Sequence, residues 1–284
     1  MNFRSITRLV PGRETSDGAG VRLKRSLGTS ELDHLDPFLL LDEFKSEDRG
    51  DYMAGFPDHP HRGFETVTYI LAGTMEHRDH AGNKGNLVAG SVQWMTAGKG
   101  IIHSEMPKQD DGLMWGFQLW INLPSELKMS PPRYQDIPPE DIPEVRSQEG
   151  ARIRVIAGEA GGIRGPVTGI ATEPLYLDVS IPAHTKFIQP VPEGHNSFCY
   201  VFDGEGSLGI TSDGPGPSVG SGILAVLGDG DGIAASTTAS PLRFLLLAGK
   251  PIGEPVARHG PFVMNTEEEL RQAVRDLRAG TFLD

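Results

Sequence analysis

The chain of 284 residues contains one cysteine, Cys199. No intramolecular disulfide can form, which excludes a disulfide-stapled extracellular scaffold and fits a reducing compartment. Cys199 sits in the apolar run FCYVF, residues 198–202, and reads as a buried, inert thiol rather than a nucleophile. Long apolar runs are also missing. No stretch approaches the ~20 apolar residues of a membrane-spanning helix, and the opening MNFRSITRLV lacks the apolar centre of a secretory signal. A cytoplasmic location with no membrane partner is the expectation. Positive charge is scarce: 26 Lys and Arg against 38 Asp and Glu leave a net charge of −12. Such a surface repels phosphate backbones, so direct nucleic-acid binding is not expected. The one basic cluster, VRLKR at residues 21–25, alternates apolar and charged residues as a half-buried strand does.

Glycine (36) and proline (22) are plentiful, but they stand between apolar runs and not in low-complexity tracts. Runs rich in Val, Ile, Thr, Tyr and Trp, such as TVTYIL (66–71) and VQWMT (92–96), end in glycine-containing turns. Short strands at this spacing predict an all-β barrel or sandwich. Six prolines between Pro124 and Pro143 read as an inter-domain connector, and a second β-rich block follows from 151 to 250. The chain closes on a predicted helix at about 266–279. Thr266 and Glu269 have capping-box spacing; Leu270, Ala273, Val274 and Leu277 form one apolar face; Gly280 is a C-terminal stop.

The two β blocks resemble each other. YILAG (69–73) matches YVFDG (200–204), and Gly90, Gly98 and Gly100 match Gly220, Gly228 and Gly230. Two similar offsets on separate segments indicate two copies of one domain. The division expected is an N-terminal domain over 1–135, a proline-rich connector over 136–150 and a C-terminal domain over 151–284 that ends in the helix.

Two segments of the first copy carry metal-ligand chemistry. On a strand, residues i and i+2 share a face, so His59 and His61 of FPDHPHRGFETVTY can project together. GIIHSEMP offers a second pair, His103 and Glu105. Three imidazoles and a carboxylate suit Fe, Mn, Co, Ni, Cu or Zn and leave coordination positions open, as catalytic sites do. The alternative is that His59 and His61 are loop histidines flanked by Pro57 and Pro60. Glu65 shares the parity of His61 and competes with Glu105 as the carboxylate; spacing does not choose between them. At the repeat offset the second copy has Pro190, Pro192, Asn196, Ile233 and Ala235 where the first has His59, His61, Glu65, His103 and Glu105, so one metal is expected.

These segments resemble the pirin family of the cupin superfamily, together with KRSLG (24–28), LDPFLLLDEF (35–44), QWMTAGKGIIHSEMP (93–107), QLWINL (118–123) and LLLAGKPIGEPVARHGPFVMNTEEEL (245–270). The resemblance implies two antiparallel β-barrel cupin (jelly-roll) domains, with one metal, usually iron, in the first. It implies His59, His61, His103 and Glu105 as ligands, with Glu65 in the place of a glutamate that pirins do not use. Thr96, where the wider cupin motif commonly has proline, and the extra residues between Gly98 and His103 depart from general cupins. The resemblance further implies a quercetin 2,3-dioxygenase-like oxidoreductase that cleaves flavonols with O₂, Glu105 serving as the base. Phe56, Met75, Trp94, Met95 and Gln118 are the expected pocket residues. The rival implication is an iron-dependent redox sensor that docks on a transcription factor or metabolic enzyme. A monomer is the expected state.

Overall fold

The computed structural model describes residues 1–211 and 214–284. In chain order the first strands are β1 (Ile6–Pro11), β2 (Arg13–Asp17), β3 (Val21–Leu27), β4 (Phe38–Ser46), β5 (Phe56–His61), β6 (Phe64–Ala72), β7 (Thr74–Asp79), β8 (Lys84–Val88), β9 (Val92–Thr96), β10 (Ile101–Pro107), β11 (Met114–Asn122) and β12 (Arg133–Ile137). The chain falls into two compact units. One comprises Glu14–Arg25, Phe38–Pro139 and Ile252–Asp284; the other comprises Met1–Arg13, Ser26–Pro37 and Glu140–Pro251.

In the first of these units a seven-stranded antiparallel sheet runs β12-β9-β6-β11-β4-β3-β2, and a four-stranded sheet runs β5-β10-β7-β8. In the other unit the main sheet runs β1, Ile223–Leu227, Asn196–Leu208, Leu242–Gly249, Leu175–Ile181, Arg152–Ala157, Glu144–Arg146. The two orders correspond strand for strand: β9, β6 and β11 meet Ile223–Leu227, Asn196–Leu208 and Leu242–Gly249. The sequence repeat is thus a repeat of topology. The ladders as paired have two ends, so they describe sheets rather than closed barrels.

The units are not the contiguous halves expected. β1 comes first in the chain yet fills the outermost position of the later sheet, pairing with Ile223–Leu227. The equivalent place in the earlier sheet is taken by β12, a strand inside the proline-rich stretch 124–143. Its prolines flank it (131, 132, 138 and 139) and leave the five residues between free to pair with β9. The C-terminal helix α1 (Glu267–Ala279) has the predicted capping box, and Gly280 ends it in the left-handed conformation. Its Leu270 and Ala273 pack with Phe262, Met264, Phe282 and Ile102, so the helix belongs with the earlier sheets and not with the later ones.

The later unit has a continuous apolar core that includes Val155, Leu177, Phe187, Cys199, Val201, Phe244 and Leu246. Burial raises the Cys199 thiol pKa, as an inert core sulfur requires. The earlier unit buries Val21, Leu23, Phe44, Ile70 and Met75 in one cluster, and Leu23 and Phe44 also line a cavity bordered by β5.

Candidate metal centre

β5 carries two prolines and still pairs, because it is an edge strand joined to β10 alone. Its register sets His59 directly opposite His103 and His61 opposite Ile101; a bulge then puts Glu105 opposite Phe56. The ligating atoms of His59, His61 and His103 all lie within 4.8 Å of one another. Ring centroids are 4.6 Å apart for His59 and His61, 4.3 Å for His59 and His103, and 5.0 Å for His61 and His103.

The local bonding leaves one nitrogen of each ring for an ion. His59 Nδ1 is 2.8 Å from the Pro57 carbonyl, which fixes the proton there and leaves the Nε2 lone pair free. His103 Nδ1 faces His77 Nε2 at 3.2 Å, while its buried Nε2 has no partner. His61 Nδ1 is likewise buried and unpartnered. Burial, then the neighbouring imidazoles, hold His61 and His103 well below the usual histidine pKa. Both are therefore neutral at pH 7, the form that binds metal. Orphaned buried nitrogens on neutral imidazoles fit a transition metal; without one they would each forfeit a hydrogen bond in the interior.

Glu105 faces the same cavity but stands outside the tight histidine cluster. Its Oε1 accepts from Thr68 Oγ1 at 2.8 Å, and Thr68 also lies 2.7 Å from Gln118. Thr68 has one hydroxyl proton. With it given to Glu105, the Gln118 amide presents its NH₂ to Thr68. Behind His103 stand His77 and Tyr134, whose hydroxyl is 3.3 Å from His77 Nε2. His77 is buried behind a ligand candidate.

Glu65 does not reach the cluster. Gly63, at φ +88°, turns the chain between β5 and β6 and breaks the parity that Glu65 shares with His61 on paper. The Glu65 carboxylate is buried and accepts from Thr96 at 2.7 Å, across the β6–β9 pair. Burial raises its pKa, against the hydrogen bond from Thr96.

A cavity of about 540 Å³ opens against His59, His61 and Glu105. Phe56 and Gln118 line it as expected, together with Leu23, Leu40, Phe44 and Trp120. Three other expected pocket residues are not among its lining. Met75 packs under Val21, Leu23 and Phe44; Met95 packs with Ala97, Ile101 and Tyr134; Trp94 lies opposite Val67, one residue out of phase with Met95. Alternation along β9 forbids Trp94 and Met95 from facing one cavity together. The sequence reading also missed a charged wall. Arg25 grips Asp42 through Nε at 2.7 Å and Nη2 at 2.6 Å, and Nη2 also reaches Asp17 at 2.8 Å. The alternation of residues 21–25 marked a strand, and nothing local marked Arg25 as facing a cavity. Burial, opposed by Arg25, raises the Asp42 pKa to about 6.

Two repeated β units, with a histidine cluster that could hold a metal ion found in one of them among the described residues, define a two-domain cupin. The family model for Pirin matches residues 20–121, and that for the Pirin C-terminal cupin domain matches residues 176–283. A "Pirin-like protein" of Caulobacter vibrioides is 50% identical over 283 residues, covering 99% of this chain and all of that one. A Pseudomonas aeruginosa protein, provisionally named a quercetin 2,3-dioxygenase, is 47% identical over 98% of both chains. The crystal structure of a quercetin 2,3-dioxygenase from Acinetobacter baumannii superposes with a TM-score of 0.88 at 33% identity, covering 98% of each chain. The chain belongs to the pirin family.

Proposed function

We propose that His59, His61 and His103 hold one divalent transition metal, Fe(II) foremost, with Mn, Ni, Co, Cu or Zn as alternatives, and that the chain is a quercetin 2,3-dioxygenase-like enzyme acting on flavonols and O₂. The observation that carries this reading is the cavity lined by His59 and His61, whose ligating atoms lie within 4.8 Å of that of His103. Its volume falls within the ~300–1,000 Å³ typical of small-molecule sites. A bound metal with open positions would supply a Lewis acid for a substrate hydroxyl and a template for both reactants.

The remaining work falls to side chains. Leu23, Leu40, Phe44, Phe56 and Trp120 offer apolar walls to flat aromatic rings and exclude water. Glu105 is the group placed to accept the hydroxyl proton or to join the ligand set, and Thr68 holds its carboxylate in one orientation. Gln118 and the Arg25–Asp42 pair give polar contacts to peripheral hydroxyls. The names of the P. aeruginosa and A. baumannii relatives support the same substrate class. This reading takes both units as cupin barrels and the protein as a cytoplasmic monomer.

The test is aerobic incubation of Fe(II)-loaded protein with quercetin, following loss of visible absorbance and release of carbon monoxide. Turnover above a metal-only control is expected. None with Fe, Mn, Ni, Co or Cu would sink the assignment. Family membership also supports a second reading, a redox-sensing regulator with a protein partner; a pull-down with reduced and oxidised protein should then recover a partner from one state only.

A further inference from the structure

Arg62 follows His61 directly, and its guanidinium is buried. Nη1 donates to Asp276 Oδ2 at 2.6 Å and Nη2 to the Phe282 carbonyl at 2.9 Å, partners 214 and 220 residues away. Nε donates to the Lys99 carbonyl, and the Phe282 ring lies 4.3 Å from the guanidinium carbon. A second buried cation, Lys128, joins the same two segments. Its Nζ donates to the Gly63 carbonyl at 2.8 Å, to the Val263 carbonyl at 3.0 Å and to Asn122 Oδ1 at 2.7 Å. The backbones also pair: Val263 N–H donates to the Arg62 carbonyl at 3.0 Å and Arg62 N–H to the Pro261 carbonyl at 3.4 Å. Pro261 further hydrogen-bonds the His61 ring. Gly63 approaches so closely that a Cβ there would lie 2.0 Å from the Val263 oxygen.

β5 gives His61 little support of its own. It is an edge strand, it contains two prolines, and His61 is its last residue. Arg62 and Gly63, which follow it, are held in large part by the C-terminal segment. We infer that residues 252–284 are a positioning element of the metal site, acting on His61 through Arg62 and Lys128, so that docking of this segment and metal binding are thermodynamically linked. Undocking strips buried Arg62 and Lys128 of acceptors, which is costly, and frees the backbone that carries His61. Linkage is reciprocal: if docking favours the metal, the metal favours docking.

The inference rests on the three-histidine metal site, and the experiment separates the two. Hydrogen exchange is measured on the full-length chain, metal-free and with one equivalent of Mn(II), and metal affinity is measured by competition with a colorimetric chelator. Metal is expected to slow exchange in peptides covering 257–264 and 270–283. Arg62→Met and Asp276→Asn are expected to weaken metal affinity by about 10–100-fold, the usual effect of losing an outer support. Arg271→Gln, on the solvent side of α1, should leave affinity unchanged. Failure of the unaltered protein to bind metal would overturn the site itself. Normal metal binding with tail exchange unchanged by metal, or with both variants at full affinity, would overturn the linkage alone. If Arg62→Met does not fold, Asp276→Asn carries the test, because it leaves the guanidinium contacts to Lys99 and Phe282 in place.

Discussion

Asp42 makes stability of the unit that holds the histidine cluster depend on pH in a direction opposite to that of an ordinary salt-bridged carboxylate. Its pKa is raised to about 6 from 3.8, first by burial, with Arg25 pulling the other way. A raised carboxyl binds its proton more tightly in the folded state. Its contribution is fully present below the unfolded value and is lost as pH rises through about 6. Between pH 5 and pH 7.5 that loss is about 1.4 kcal/mol. Asp42→Asn removes the titration, so the stability difference between this variant and the unaltered protein should drift by about that amount across the interval. Arg25→Met should act in the opposite sense. It strips a buried carboxylate of its bidentate partner and should cost about 3–5 kcal/mol at pH 7.5, and less at pH 5 where Asp42 is protonated. Urea unfolding followed by tryptophan fluorescence is the assay. All three tryptophans, Trp94, Trp115 and Trp120, lie in the unit that holds Asp42, so the signal reports on that unit. Parallel pH profiles for Asp42→Asn and the unaltered protein, or a cost below about 1 kcal/mol for Arg25→Met at pH 7.5, would refute the reasoning.

Other outcomes follow from the same geometry. His61→Ala should abolish stoichiometric metal binding by elemental analysis, whereas His184→Ala, in the other unit, should leave it intact. Gly63→Ala combines φ +88° with a Cβ 2.0 Å from the Val263 oxygen, so it should cost more than about 3 kcal/mol in urea melts and lower metal content together. Cys199 is buried and its thiol pKa is raised, so a thiol-specific disulfide reagent should leave it unmodified until denaturant is added; fast reaction in the native state would contradict its burial.

The strands, the duplicated topology, the terminal helix and the three histidines were all legible along the chain, because each is written in short-range pattern. Alternation marks a strand, Thr266 and Glu269 mark a cap, and H-x-H marks a shared face. The failures share a cause. Glu65 has the right parity on paper, but a glycine of positive φ intervenes and resets the face. Trp94 and Met95 were placed in one pocket although adjacent strand residues point oppositely. β12 was hidden by the prolines around it.

The sequence by itself determined a mostly β, duplicated protein with candidate ligands in one copy, and it did so through local periodicity and composition. Only the tertiary structure decided which distant groups share the site: Arg25 and Asp42 on the cavity wall, His77 and Tyr134 behind His103, and Asp276 and Phe282 on Arg62. Contacts between residues up to 220 positions apart depend on how sheets and tail pack around a common interior, and no short window of sequence carries that information.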